Sequence, residues 1–155
     1  MKPTAETRIR VRYAETDQMG VAYYANYLVW MEVGRAELCR ACGFDYRTME
    51  EEDDVLLAVA ESNCRYASPA RYDDEVVIKT WIEGAGDRMV TFAYEMRLAV
   101  DGRKLATGFT RHIFLTHQLR PTRLPRKYFP MFGIAPRQPA APISEDKAHS
   151  ACPTS

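Results

Sequence analysis

Residues 13–27 read Tyr13-Ala14-Glu15-Thr16-Asp17-Gln18-Met19-Gly20-Val21-Ala22-Tyr23-Tyr24-Ala25-Asn26-Tyr27, YAETDQMGVAYYANY. Ahead of this segment Ile9, Val11 and Tyr13 alternate with polar residues, which predicts a short strand over 8–13. Gly20 permits a tight turn. From about Tyr24 to Cys42 the apolar residues recur at helical spacing, with Gly43 placed to end the helix. One acid, Asp17, therefore falls between a strand end and a helix start. That placement can aim a carboxylate and the unpaired N–H groups of a helix start at the same atom.

Working outward, the predicted helix carries Tyr27, Leu28, Val29, Trp30, Met31, Val33, Ala36 and Leu38. It is apolar nearly all round, so it is expected to be buried rather than laid on a surface. The material to wrap it follows. Residues 55–68, 75–83, 88–100 and 104–116 are rich in Val, Ile, Tyr, Phe and Thr and read as strands. Turn chemistry separates them at Ser68-Pro69 to Asp73-Asp74, at Gly84-Ala85-Gly86-Asp87 and at Asp101-Gly102, the last a strong hairpin signal. The expected fold is α+β: a curved antiparallel sheet of about five strands wrapped around one long central helix. A short helical turn is expected near Pro125–Phe132. From about Ala135 the composition turns to Pro, Ala, Ser and charge, so the domain is expected over 1–134 and a disordered tail over 135–155. Five strands do not close around a helix, and the open edge predicts pairing with another copy.

The chain has 155 residues, with 21 Lys and Arg against 21 Asp and Glu. This length fits one domain with a single core. The zero formal charge offers no attraction for nucleic acid. No run approaches the roughly 18 apolar residues of a membrane span. The first ten residues lack the apolar centre of a secretory signal, so a cytoplasmic protein is expected. No Gly-rich phosphate loop of either common type is present.

The pair Cys39 and Cys42 forms a single C-x-x-C, which has redox and half-zinc-site readings. A zinc site needs two further ligands, and no second C-x-x-C or H-x-x-H exists in the sequence. A redox pair is usually activated at a helix N-terminus, whereas these cysteines fall at the C-terminal end, where the helix dipole disfavours a thiolate. They read as small apolar fillers. The histidines, His112, His117 and His149, are not spaced to share a metal.

Asp17 is the first candidate for chemistry. A carboxylate is ionised at neutral pH and can attack a reactive acyl carbon or take a proton from water. Both routes need a primed electrophile; thioesters qualify and amides do not. Backbone N–H groups near Tyr24 would stabilise the tetrahedral intermediate. The competing reading makes Asp17 a turn residue bonded to its own backbone.

The pattern Tyr13-x-x-Thr16-Asp17-x-x-Gly20-Val21-x-Tyr23-x-x-x-Tyr27, followed by Glu32, Arg35 and Gly43, resembles the 4-hydroxybenzoyl-CoA thioesterase / YbgC-like family of hotdog-fold acyl-CoA thioesterases. Tyr66-x-x-Pro69-Ala70-x-Tyr72-x-Asp74 resembles the family's second strand and turn. The similarity covers about residues 7–130. It implies that Asp17 is the catalytic carboxylate and that Tyr24 supplies a backbone N–H that polarises the thioester carbonyl. Members of the YbgC branch often carry His at the position of Tyr24, so a His-assisted mechanism is not available there.

The resemblance also implies that Gly20, Val21 and Glu32 meet the acyl part of the substrate, and that Arg88 and Arg120 meet the nucleotide of coenzyme A. Arg65, Arg71, Arg103, Lys104 and Arg123 are further cations for its phosphates. Two alternatives stand against these roles. Glu32 and Glu37 could pair with Arg35 and Arg40 three residues on, or be exposed at a dimer seam, and the arginines could be solvated surface groups. The expected function is hydrolysis of an acyl-CoA or aroyl-CoA to the free acid and CoA, with no cofactor and no metal. A homodimer or homotetramer is expected, with no nucleic-acid partner and no membrane span. The alternative is a non-catalytic hotdog protein that binds acyl-CoA or acts as an interaction module.

Overall fold

The computed structural model describes residues 2–135. The expected tail falls outside them, apart from Ala135. The elements run β1 (Thr4–Arg10), α1 (Asn26–Ala41), α2 (Tyr46–Asp53), β2 (Leu56–Tyr66), β3 (Glu75–Ala85), β4 (Met89–Leu98), β5 (Lys104–Leu115) and a short α3 (Phe129–Phe132). All five strands form one antiparallel sheet in the order β1-β3-β4-β5-β2. This is the hotdog arrangement: one long helix against the inner face of a curved sheet.

Alternation along the strands makes that inner face. Val76, Ile78, Thr80 and Ile82 of β3, with Val90, Phe92, Tyr94, Met96 and Leu98 of β4, are buried at period two. Against them α1 sets Tyr27, Trp30, Met31, Gly34, Arg35, Leu38 and Cys39, which recur at three- and four-residue steps. Two glycines allow the close approach. A Cβ on Gly34 would lie 2.5 Å from Thr80 Oγ1 and 2.9 Å from Ile78 Cγ2, and one on Gly108 of β5 would collide with the Asn63 carbonyl and the Met31 methyl.

Three expectations need correction. The first strand lies at Thr4–Arg10 instead of 8–13; Val11 is buried, but Tyr13 sits in a 3₁₀ turn and is exposed. The helix is not wrapped all round, because Leu28, Val29 and Glu32 form an exposed stripe. Third, α2 was not foreseen. Asp45 caps it by accepting the Thr48 N–H at 2.8 Å, and Asp54 ends it in the left-handed conformation. The helical turn expected near Pro125–Phe132 is present.

Candidate active site

A small hairpin carries Asp17 between β1 and α1. Thr16 and Ala22 form an antiparallel bridge, the Asp17 N–H donates to Val21 O at 3.0 Å, and the Gly20 N–H donates to Asp17 O at 2.9 Å. Gly20 closes the turn at φ +75°, a conformation that a side chain opposes. Asp17 Oδ1 accepts the Met19 N–H at 2.8 Å. The turn reading of Asp17 is thus realised locally, and it orients the carboxylate. Among the described residues Oδ2 accepts no hydrogen bond.

The return strand of the hairpin runs straight into α1. The Asn26 N–H donates to Tyr23 O at 3.0 Å and the Leu28 N–H to Ala25 O at 3.1 Å. The helix therefore begins two residues after Tyr24, with Ala25 at the N-cap and no side-chain cap. The N–H groups of Tyr24 and Ala25 find no acceptor among the described residues. They are donors at a helix start, of the kind that binds an anion or an oxygen bearing negative charge.

The surroundings are aromatic. Tyr23 and Tyr24 meet in a tilted pair at 4.6 Å between ring centroids with 58° between the planes, Tyr13 meets Tyr72 edge-on at 5.6 Å, and Tyr27 meets Tyr66 edge-on at 5.0 Å. The Tyr66 hydroxyl donates to Tyr24 O at 2.9 Å and so ties the end of β2 to the helix start. The Tyr24 phenol first, then desolvation and last the Asp17 carboxylate hold the Tyr23 phenol above its usual pKa. The Arg71 guanidinium reaches the Gly20 carbonyl at 3.4 Å.

Glu15, unnoticed in the sequence, holds this assembly together. It is 6% exposed. Oε2 accepts the Arg12 N–H at 2.8 Å, and Oε1 accepts the Trp30 indole N–H at 3.1 Å and the Arg12 guanidinium at 3.4 Å. Its carbonyl accepts the Tyr23 N–H at 2.8 Å and the Asn26 side-chain amide at 2.7 Å. Burial works against the ionised carboxylate, but these donors outweigh it and the pKa lies below the ordinary value. The available signal was Trp30: a core indole N–H needs an acceptor.

The remaining candidates separate. Val21 is half-buried in the hairpin beside Gly20. Glu32 is exposed on α1 at the edge of a depression shared with Ala36, Arg40, Asp45 and Arg47. The Glu37–Arg40 pair forms, but Glu32 does not pair with Arg35. Arg35 turns inward instead, donating to the Tyr94 hydroxyl at 3.3 Å within a chain that continues to Thr110 and His112. Arg88 and Arg120 lie at the other end of the strands. The Arg88 carbonyl accepts the Phe114 N–H and the Arg120 carbonyl accepts the Thr116 N–H, both beside the end of β5. β4, whose ten residues span roughly 30 Å, starts at that end and finishes on the side where β1 leads to Asp17. A cavity of about 530 Å³ lined by Arg123, Arg126, Phe129 and Pro130 lies at that far end too.

No group of three or more metal-ligating side chains occurs among the described residues. No described helix is long and apolar enough to cross a membrane. Burial pushes the Cys39 thiol up to about 12 and raises that of Cys42, so neither is poised as a thiolate. His112 is buried in the core and His117 bonds to Asp54 at 2.6 Å, while His149 lies outside the described residues.

Known proteins share this fold. The family model described as Thioesterase superfamily matches residues 19–104. Over 92 residues the chain is 46% identical to a Bacillus subtilis protein named putative acyl-CoA thioesterase YneP, an alignment covering 59% of this chain and 66% of that one. Over 90 residues it is 32% identical to acyl-CoA thioesterase YbgC of Haemophilus influenzae, covering 58% and 65%. These alignments span just under two thirds of the relatives' own length. The structure of a DHNA-CoA thioesterase from Staphylococcus aureus superposes with a TM-score of 0.76 at 35% identity, covering 82% of this chain and 84% of that one. At 18% identity, 4-hydroxybenzoyl-CoA thioesterase from a Pseudomonas species shares the fold, with a TM-score of 0.76 over 83% of this chain. With the family model matching more than half of its residues, the chain belongs to the thioesterase superfamily.

Proposed function

We propose that the protein hydrolyses an acyl-CoA or aroyl-CoA thioester to the free acid and CoA. The observation that carries this reading is the juxtaposition in one hairpin-helix unit of the oriented Asp17 carboxylate and the unclaimed N–H groups of Tyr24 and Ala25. The thioester oxygen accepts those N–H groups, which stabilise it as negative charge develops. Asp17 then acts in one of two ways. As nucleophile, its free oxygen bonds to the acyl carbon while the C–S bond breaks; the CoA thiolate leaves and takes a proton, and water hydrolyses the resulting anhydride. As general base, Asp17 takes a proton from water, the hydroxide adds to the acyl carbon, the C–S bond breaks, and the proton passes to the departing thiolate. Both routes sum to thioester plus water giving acid plus thiol.

The site is completed by a second copy. β2 is an edge strand, and its Tyr66 end is tied to the helix start while its Leu56 end lies beside the close of β5. Two copies paired antiparallel through β2 place the Arg88 and Arg120 end of each beside the Asp17 end of the other. Those arginines then meet the CoA phosphates. Gly20, Val21 and Glu32 border the acyl group, and the exposed tyrosines supply flat apolar surface for it.

The deciding experiment is a panel of acetyl-, hexanoyl-, palmitoyl-, benzoyl- and 4-hydroxybenzoyl-CoA, followed by thiol release. Hydrolysis of at least one of them supports the reading. Tight CoA binding with no hydrolysis of any supports a non-catalytic acyl-CoA binder instead. Single-turnover incorporation of labelled oxygen into Asp17 separates the nucleophilic from the general-base route.

A further inference from the structure

The geometry points to Glu15 and Trp30 as a pair of positioning residues that set the distance between the Asp17 carboxylate and the helix-start donors. The inference rests on the thioesterase reading of the site. Glu15 stands two residues before Asp17, yet its contacts run to three separate pieces of chain. Its carboxylate takes the Arg12 N–H where the chain leaves β1, and the Trp30 indole N–H one turn inside α1. Its carbonyl takes the Tyr23 N–H on the return strand and the Asn26 amide in the first turn of α1. The hairpin bearing Asp17 and the helix whose start follows the donors are therefore joined through one buried residue. Two of its hydrogen bonds, from the Asn26 amide at 2.7 Å and the Trp30 indole at 3.1 Å, cross to α1, and two more, from the Arg12 and Tyr23 N–H groups at 2.8 Å, hold Glu15 in the hairpin unit.

Ionisation matters to this role. The carboxylate accepts from an indole on one oxygen and a backbone amide on the other. An amide side chain at the same place keeps one accepting oxygen and turns a donor toward the other partner. Glu15→Gln therefore retains part of the side-chain half of the clamp, whereas Glu15→Ala loses that half and keeps only the two bonds to its backbone carbonyl. Trp30→Phe removes only the indole N–H and leaves an aromatic ring in the core. Trp81→Phe is the matched control, because its indole N–H donates to Glu83 Oε2 at 2.7 Å at a place remote from Asp17.

The test measures kcat, KM and thermal stability for each variant on the fastest thioester of the panel, together with amide hydrogen exchange over residues 15–26. Trp30→Phe is expected to lower kcat about 10- to 100-fold, the scale of a misplaced reacting group, with KM within about twofold. Exchange over 15–26 is expected to quicken while β3 and β4 stay protected. Glu15→Gln is expected to keep more turnover than Glu15→Ala, and Trp81→Phe to match the native enzyme. A Trp30→Phe protein with native kcat, or with native exchange over 15–26, overturns the inference. So does one whose only change is a lower melting temperature. If Asp17→Asn keeps native turnover, the catalytic reading itself fails; if Asp17→Asn is inactive while Trp30→Phe is native, only the positioning role fails.

Discussion

Asp17 Oδ1 accepts the backbone N–H of Met19 at 2.8 Å, so the turn and the reactive group are one structure. The bond fixes one carboxylate oxygen, while the other accepts no hydrogen bond among the described residues. Gly20 makes the turn possible at φ +75°. A Cβ there opposes the left-handed conformation by roughly 1–2 kcal/mol. Gly20→Val is expected to cost at least that in urea unfolding and to lower kcat, because the strained turn rotates Asp17. Native turnover in Gly20→Val would show that the turn does not orient the carboxylate.

Packing of the helix on the sheet depends on missing side chains at Gly34 and Gly108. The obstacle at Gly34 is side chain, Thr80 Oγ1 and Ile78 Cγ2, which must move aside; at Gly108 it includes the backbone carbonyl of Asn63, which is held in the sheet. Gly34→Ala is expected to destabilise by about 1–3 kcal/mol. Gly108→Ala is expected to cost more than Gly34→Ala. Chemical denaturation of both variants gives the order directly, and the reverse order would contradict the close approach of β2, β5 and α1.

Burial, with the nearby Arg35 charge second, holds the His112 imidazole down to about 4, against an ordinary 6.5; the Leu57 carbonyl opposes the shift. Between these values the unfolded chain binds a proton that the native chain does not. Native stability therefore falls as pH drops from about 6.5 toward 4, with a contribution of the order of 3 kcal/mol. His112→Gln is expected to flatten this part of the pH–stability curve. An unchanged slope would place His112 in a wetter environment than the core of β5.

Edge pairing through β2 predicts a mass of two chains or more by light scattering at micromolar concentration. Val59 on that edge is 58% exposed. Val59→Lys puts a charge on the pairing face and is expected to yield monomers that have lost turnover. Arg88→Ala combined with Arg120→Ala is expected to raise KM with kcat unchanged, as added salt would in the native enzyme. A stable monomer with full turnover contradicts the shared site.

The sequence carried the sheet legibly where period-two alternation met strong turns, as at Asp101-Gly102 between β4 and β5. It carried the start of β1 poorly, because Ala5 and Thr7 are weak inward residues and charged Glu6, Arg8 and Arg10 alternate with them. α2 escaped because only Met49 of its eight residues is buried and four are acids. The count of apolar residues in α1 concealed the exposed Leu28–Val29–Glu32 stripe, since periodicity does not say which apolar face is covered within one chain. Asp17 stood out by its place between strand and helix. Glu15 did not, because its partners Tyr23, Asn26 and Trp30 come together only through the fold.

The most direct measurement is the turnover of Asp17→Asn on the fastest thioester of the panel. Asn keeps the oxygen that accepts the Met19 N–H but removes the nucleophile and base. The account predicts a loss of roughly 10²- to 10⁴-fold in kcat, with an unchanged melting temperature. Near-native turnover by Asp17→Asn would contradict it.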